Sequence, residues 1–371
     1  MMSTHSSNKL EAILAKSCRG GMLLKEEIAY LLSLSKDDHM QILFQAAREI
    51  RRRHFGESIF MYGFLYISTH CRNDCSFCFF RKSNTNSRRY RKDESEIIEA
   101  ACELADSGVH LIDLTMGEDP YYFNEDGKGF DAFVKLVESV RRISGLPIMI
   151  SPGVIPDHVM KRLADAGATW YACYQETHRQ QLFNKLRPGQ NYDARLGAKH
   201  SAHKLGLLIE EGLLSGVGES LEDVADSILT MRILDADQVR VMNFVPQCGT
   251  PMENHIPSDP LRELLTIAVL RITFPDRLIP ASLDVDGLSG LKQRLDAGAN
   301  VVTSLVPPGR GLAGVAQNSL DIEGGKRTSD TVLSVLKTYG LNAASKDEYQ
   351  SWIETRKEAV RESERFKEVA C

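Results

Sequence analysis

The stretch FMYGFLYISTHCRNDCSFC, residues 60–78, combines the two signals that decide the fold. Its first ten residues are mostly aromatic, aliphatic or β-branched, which is typical of a strand buried on both faces of a parallel sheet. Three cysteines follow at once, Cys71, Cys75 and Cys78, in the spacing C-x3-C-x2-C. A buried strand that runs directly into a loop of reactive side chains predicts a βα unit with its site at the strand's carboxyl end.

Runs of the same character recur along the chain and are separated by amphipathic helical stretches. The predicted strands cover residues 60–69, 110–116, 147–151, 169–175, 207–214, 238–245, 277–285 and 299–306. Several helical stretches end at a glycine, as at Gly108 and Gly298, where a residue free to adopt positive φ closes a helix. We therefore predict an α/β fold built on a single (β/α)8 TIM-type barrel. An open doubly wound sheet is the alternative, although no G-x-G-x-x-G follows the first strand.

The chain divides into three predicted segments: an N-terminal helical leader (1–56), the barrel (57–320) and a C-terminal helical appendage (321–371). Residues 23–54 of the leader have the apolar spacing of two helices. The end of the chain, SKDEYQSWIETRKEAVRESERFKEVAC, is highly charged and has no obvious apolar face. This pattern predicts a helical tail that lies on the surface or is loosely ordered.

Composition narrows the classes of partner. The 45 basic and 50 acidic residues are intermixed, with a formal net charge of -5, so we expect neither nucleic-acid nor membrane binding. The first residues lack the basic and apolar regions of a secretory signal, and no run of 18 apolar residues occurs. We expect a cytoplasmic protein whose partners are small molecules or other proteins.

The cysteine triad predicts a metal site with an open coordination position. Structural zinc usually has four ligands from two paired sets, and no second pair occurs here. Three thiolates on a four-iron, four-sulfur (4Fe-4S) cluster leave one iron without a protein ligand. An open position of this kind is typical of catalytic rather than structural metal sites. Zinc is the alternative. The spacing, with Phe77 before the last cysteine, resembles the signature of radical S-adenosylmethionine (SAM) enzymes, in which that iron binds SAM.

Polar residues stand at the ends of the other predicted strands, where a barrel directs them to one mouth. Such residues cannot stay buried without partners or ligands. An arginine can hold a carboxylate and an aspartate an ammonium, so the set predicts a pocket for an amino acid. The alternative is a network of ion pairs, such as Arg240 with Asp284, that only seals the barrel. The set comprises Asp113, Glu118, Ser151, Glu176, Arg240, Ser282, Asp284 and Ser304.

Several stretches between residues 70 and 304 resemble the methylornithine synthase family closely, among them DLTMGEDPYY (113–122), VRVMNFVPQCGTP (239–251) and RLIPASLD (277–284). The resemblance implies that L-lysine is isomerised to 3-methylornithine, the first step of pyrrolysine biosynthesis. It also implies an external electron donor such as flavodoxin or ferredoxin. A related enzyme of the biotin synthase or hydrogenase maturase type, acting on another amino acid, and a non-enzymatic metal-binding protein are the alternatives.

The resemblance assigns roles to residues at matching positions. It implies that Cys71, Cys75 and Cys78 hold the cluster and that Asp113, Arg240, Ser282 and Asp284 hold the substrate. Met116, Gly117, Glu118, Glu176 and Arg195 surround SAM in this interpretation, and we add Ser151 to that set. No catalytic side chain is expected, because the radical comes from the cofactor. The chain departs from the family pattern at Pro188, Asn243 and Cys248, and its leader and the residues after 320 are not obviously similar.

Overall fold

A computed structural model describes residues 2–124, 127–307 and 327–370 of the protein. Eight strands form one parallel sheet, and a ninth, two-residue strand adds to its first strand. The strands are β1 (Ser58–Ser68), β2 (Leu111–Met116), β3 (Ile148–Ser151), β4 (Ala168–Ala172), β5 (Leu208–Ser215), β6 (Gln238–Asn243), β7 (Pro280–Ser282), β8 (Val301–Leu305) and β9 (Asn342–Ala343).

Helices precede, connect and follow the strands. They are α1 (Met2–Cys18), α2 (Lys25–Leu32), α3 (Asp37–Phe55), α4 (Glu94–Asp106), α5 (Lys128–Ser144), α6 (Asp157–Asp165), α7 (Gln180–Leu186), α8 (Tyr192–Lys204), α9 (Leu221–Ile233), α10 (Pro260–Thr273), α11 (Leu291–Asp296), α12 (Ser329–Thr338) and α13 (Lys346–Ala370). Hydrophilic caps mark several starts; for example, the Ser220 hydroxyl accepts a hydrogen bond from the Asp223 amide at the start of α9. Within the described ranges, no helix combines the length and apolarity needed to cross a bilayer.

The sheet curls into a nearly closed barrel, which confirms the predicted fold class. Its strands run in the order β6-β5-β4-β3-β2-β1-β8-β7, and each neighbouring pair is parallel. A single bridge between Gln238 and Leu278 joins β6 to the residues before β7. The strand β7 is only three residues long, against nine predicted, because Pro280 lacks an amide donor and the chain turns after Ser282.

The alternation of side chains along the strands decides which residues enter the barrel. On β1, Phe60 and Tyr62 join a cluster inside the barrel, whereas Ile59 and Met61 pack with the surrounding helices. The same two-residue period turns Asp113 and Arg240 toward the interior. Polar residues near the strand ends therefore share one mouth.

The interpretation of the C-terminal tail as a surface or loosely ordered segment is wrong. Tyr349, Ile353 and Val360 of α13 are buried in the cluster that fills the amino end of the barrel. The Tyr349 hydroxyl donates to the Tyr62 hydroxyl at 2.7 Å, and Trp352 stacks on Trp170 with ring centroids 5.8 Å apart. The helix closes the bottom of the barrel. The predicted boundary between residues 320 and 321 lies outside the described residues.

The N-terminal helices extend the barrel's helical layer. Leu31 and Leu43 are fully buried and belong to the same apolar cluster as the barrel helices. The predicted pair of helices in residues 23–54 is confirmed as α2 and α3, and α1 precedes them. The Ser17 hydroxyl donates to the Ile272 carbonyl at 2.7 Å, which ties α1 to α10.

Candidate active site

A cavity of about 230 Å³ opens at the carboxyl ends of the strands, where the sequence predicts the site. It is lined by the cysteine loop after β1 and by residues from several strand ends. Every predicted site residue except Ser282 lines it: Cys71, Cys75, Cys78, Asp113, Met116, Gly117, Glu118, Ser151, Glu176, Arg195, Arg240 and Asp284. Ser282 lies behind Asp284, and its hydroxyl donates to that carboxylate at 3.2 Å.

Hydrogen-bond donors surround the sulfur of Cys75. Arg187 Nη1 lies 3.4 Å from Cys75 Sγ, and Gln190 Nε2 lies 3.0 Å from it. The Asn73 amide donates to Cys71 Sγ at 3.5 Å. Burial raises the pKa of the thiols of Cys71 and Cys78. Iron must therefore displace protons from these thiols when it binds.

The arrangement of the triad fits a cluster better than one metal ion. In the described parts of the chain, no three His, Cys, Asp or Glu side chains converge closely enough to hold a single ion. The thiolates of a 4Fe-4S cluster each bind a different iron and need no such convergence. Gly117 leaves room beside the loop, because a Cβ there would lie 2.8 Å from the Cβ of Cys71.

Some charged residues near the cysteine loop are paired with a residue of opposite charge, and others are not. Glu118 accepts from Arg72 Nε at 2.9 Å, and Glu176 accepts from Arg187 Nη2 at 2.6 Å. Arg195 instead donates to neutral acceptors, the Tyr174 carbonyl at 2.7 Å and Gln190 Oε1 at 3.3 Å. Within the described ranges Arg195 therefore has no carboxylate among its hydrogen-bond partners, although its charge acts on the nearby Glu176.

The segment after β4 bends sharply before it reaches Glu176. Glu176 has φ 67°, a left-handed conformation that costs a non-glycine residue about 1–3 kcal/mol. The bend ends β4 at Ala172, three residues earlier than predicted. Two ladder-like hydrogen bonds hold the bend on β5, from the Glu176 amide to the Gly212 carbonyl and from the Leu214 amide to the Glu176 carbonyl.

Arg240 is paired inside the barrel, although not with the residue considered from the sequence. Its Nε donates to Glu210 Oε1 at 2.6 Å, and the Tyr174 hydroxyl donates to Glu210 Oε2 at 2.8 Å. Burial alone would lower the pKa of Arg240, but Glu210 raises it above its ordinary value. Arg240 therefore stays charged beside the cavity.

Ion pairs do join the polar residues of the barrel, as the alternative expects, but among the described residues Asp284 has its own network and forms no ion pair with Arg240. Arg327 Nη1 donates to Asp284 Oδ1 at 2.7 Å, and the Ser304 hydroxyl donates to Oδ2 at 2.7 Å. Arg327 is almost fully buried. The charge of Asp284 is thus balanced by a residue that lies after the predicted barrel boundary.

Asp113 is compensated by hydroxyl groups and by the more distant charge of Arg240. It accepts from the Ser151 hydroxyl at 2.9 Å, and no basic group of the described residues hydrogen-bonds to it. Burial, and then the nearby charge of Glu210, raise its pKa to about 7. This carboxyl can therefore change its charge near neutral pH when a cation approaches.

Sequence reasoning missed four residues that shape the site: Tyr174, Arg187, Glu210 and Arg327. Glu210 lies in the strand LIEEGLL (208–214), where a carboxylate inside an apolar run signals a buried partner. The pairing of Arg327 with Asp284 joins distant parts of the chain, and no local pattern predicts it. Pro188, noted as a departure from the family, follows Arg187 directly.

Comparisons with known proteins show similarity to radical SAM enzymes. A model of the radical SAM superfamily matches residues 65–231. The chain is 41% identical to 3-methylornithine synthase of Methanosarcina acetivorans over 351 residues, covering 95% of this chain and 99% of that protein. It is 31% identical to the hydrogenase maturase subunit HydE of Thermotoga maritima, over 75% of this chain and 79% of that protein.

A solved structure extends the similarity to three dimensions. The crystal structure of methylornithine synthase superposes with a TM-score of 0.87 at 41% identity, covering 92% of this chain and 99% of that one. Both similarities reach well beyond residues 70–304, which carry the family motifs. The chain therefore belongs to the 3-methylornithine synthase family of radical SAM enzymes.

Proposed function

We propose that the protein isomerises L-lysine to 3-methylornithine, the first step of pyrrolysine biosynthesis, with a 4Fe-4S cluster and SAM as cofactors. One observation carries the proposal beyond family membership. Arg240 and Asp113, of opposite charge, line the same cavity as the thiols of Cys71, Cys75 and Cys78. A zwitterionic amino acid would find both its charges matched next to the cofactor site.

The cofactor end has groups suited to SAM. When bound, the cluster and SAM supply a 5'-deoxyadenosyl radical that takes a hydrogen atom from the substrate. In this proposal Cys71, Cys75 and Cys78 hold the cluster, and Arg195 binds the carboxylate of SAM, because its hydrogen bonds to described residues go to neutral oxygens. The other residues assigned to this end, by position, are Met116, Gly117, Glu118, Ser151 and Glu176.

The substrate end has groups suited to lysine. Among the described residues, Glu210 bonds to the Nε of Arg240, and Nη1 has a weak contact with Met242 Sδ at 3.8 Å, so we assign the outer edge of the guanidinium to the substrate carboxylate. Asp113 is proposed to receive an ammonium, with Asp284 as a second acidic contact and Ser282 holding Asp284 in place. Arg240, Ser282 and Asp284 are buried and Asp113 is half-buried, so this end of the cavity keeps most water away from a bound substrate.

The cluster also needs a one-electron donor, and the surface beside it favours an acidic one. Lys82, Arg88 and Lys185 are exposed, and their backbones bond to residues 69–76 of the cysteine loop. We call these three residues the basic face. We propose that a low-potential carrier such as flavodoxin or ferredoxin docks there, and that the protein works in the reducing cytoplasm, where such thiols persist.

Reversing charge on the basic face should slow reduction by a protein donor only. We expect Lys82→Glu with Lys185→Glu to lower turnover about tenfold with reduced flavodoxin at low salt, because steering of the two proteins is lost. Turnover with dithionite should not change, since a small reductant needs no docking. Lys292→Glu, an exposed lysine outside the basic face, is the control. An equal loss with both reductants would contradict the docking proposal.

The test of the activity is anaerobic reconstitution with iron and sulfide, followed by incubation with L-lysine, SAM and dithionite. We expect 3-methylornithine by mass spectrometry. Formation of 5'-deoxyadenosine without 3-methylornithine would contradict the assignment of L-lysine to 3-methylornithine as the reaction. Other amino acids would then be screened as substrates. Cys75→Ala should lose the cluster absorbance and both products; a full cluster in that variant would refute the assigned ligands.

A further inference from the structure

Tyr174 contacts the substrate end of the cavity with its side chain and the cofactor end with its backbone carbonyl. Its hydroxyl donates to Glu210 Oε2 at 2.8 Å, and Glu210 Oε1 accepts from Arg240 Nε at 2.6 Å. The guanidinium of Arg240 also lies over the Tyr174 ring, 5.5 Å from its centroid. The side chain of Tyr174 thus belongs to the network around the proposed carboxylate site of lysine.

The backbone of the same residue belongs to the cofactor end. The Tyr174 carbonyl accepts from Arg195 Nε at 2.7 Å and from Arg187 Nη2 at 3.2 Å. Arg187 continues to Glu176 Oε1 at 2.6 Å and to Cys75 Sγ at 3.4 Å. A shift of this carbonyl would therefore change how both arginines are oriented.

The residues on either side of Tyr174 are held from outside the barrel. Lys199 Nζ donates to the Cys173 carbonyl at 2.9 Å and lies 2.5 Å from Glu211 Oε2. The Gln175 amide donates to Glu211 Oε1 at 2.7 Å. Lys199 and Glu211 are fully buried, and Lys199 holds the pKa of Glu211 below its ordinary range although burial alone would raise it. Because the Gln175 amide lies in the same planar peptide unit as the Tyr174 carbonyl, these charged anchors limit a pull on the Tyr174 side chain to a small tilt of that unit.

We infer that Tyr174 is a positioning residue that couples the binding of L-lysine to the binding of SAM. This inference rests on the proposed function. A substrate carboxylate on the outer edge of Arg240 shares the guanidinium charge with Glu210, and Glu210 then bonds more strongly to the Tyr174 hydroxyl. The resulting pull on Tyr174 sets its carbonyl and, through it, Arg195. Coupling between two sites must be reciprocal, so SAM tightens lysine binding by the same factor as lysine tightens SAM binding.

The experiment measures the coupling directly, without turnover. SAM dissociation constants are determined by equilibrium dialysis on the reconstituted enzyme with its cluster oxidised, with and without saturating L-lysine. We expect lysine to tighten SAM binding about tenfold in the unmodified protein, a typical size for coupled sites. Tyr174→Phe should bring this factor to about one, because the ring remains in place while the hydroxyl that bonds to Glu210 is lost.

Two further variants separate the coupling role from a structural one. Tyr349→Phe removes another buried tyrosine hydroxyl bond, at the bottom of the barrel, and should keep the coupling factor. Glu210→Gln removes the charge at the other end of the Tyr174 bond and should lower the factor even if Tyr174→Phe folds poorly.

The outcomes separate this inference from the function on which it rests. Absence of SAM and lysine binding in the unmodified protein would refute the proposed function itself. Binding of both ligands with a factor near one, or a factor that survives in Tyr174→Phe and Glu210→Gln, would overturn the role of Tyr174 alone.

Discussion

Arg240→Ala is expected to lower kcat/KM for L-lysine by about a thousandfold. Arg240 is the proposed carboxylate contact, and removing one partner of a buried charged pair costs roughly 2–5 kcal/mol of binding, or about thirtyfold to several thousandfold. The same change leaves the buried carboxylate of Glu210 without its guanidinium. We therefore also expect a loss of about 3–5 kcal/mol in the free energy of unfolding.

The two effects of Arg240→Ala can be separated with a second substitution. Arg240→Ala with Glu210→Gln removes both charges, so the free energy of unfolding should recover most of its loss while turnover does not return. Urea unfolding and steady-state kinetics measure the two quantities, and cluster absorbance shows that the cofactor site is intact. Recovery of turnover in the double variant would show that Arg240 serves only to balance Glu210.

Asp113 is expected to make lysine binding depend on pH near neutrality. Its pKa of about 7 means that the carboxyl is mostly protonated at pH 6 and mostly ionised at pH 8. Glu210 and Arg240 are the charged groups that face it, with Tyr174 beside them. Because only the ionised form attracts an ammonium, L-lysine affinity should rise roughly tenfold over this range, in proportion to the ionised fraction.

Asp113→Asn should abolish that pH dependence and weaken lysine binding by about a hundredfold, since the proposed charge partner of the ammonium is lost. Calorimetric titration at several pH values measures both. Asp165→Asn, which removes an exposed carboxylate, is the control. A pH dependence of lysine binding that persists in Asp113→Asn would show that another titratable group causes it.

Stability offers an independent check on Asp113 without ligand. The unfolded chain loses this proton near pH 4, whereas the folded protein holds it until about pH 7. The unfolded state therefore binds fewer protons in this window, and the carboxyl reduces the free energy of unfolding as pH rises from 4 to 7. Asp113→Asn should become more stable relative to the original protein over that range. The opposite sign would mean that the carboxyl is stabilised as an anion.

The sequence by itself determined the barrel, because strand and helix periods are local properties of the chain. The run at residues 60–69, the alternation that turns Asp113 and Arg240 inward, and the spacing of Cys71, Cys75 and Cys78 each depend on neighbours within a few positions. For the same reason, nearly all predicted site residues lie at one mouth. Parallel strands bring their carboxyl ends together whatever the details of packing.

Only the tertiary structure decided which charges pair. Arg240 bonds to Glu210 on the neighbouring strand, and Asp284 bonds to Arg327 from beyond the barrel. The sequence does not predict the burial of the C-terminal helix, because its apolar residues, such as Tyr349, are few among many charged ones. The residues they pack against lie at the amino end of the barrel. These pairings depend on distances between residues that are remote in sequence. A buried charge is costly without a partner, so Arg240 and Asp284 each pair with an oppositely charged group that the fold places beside them.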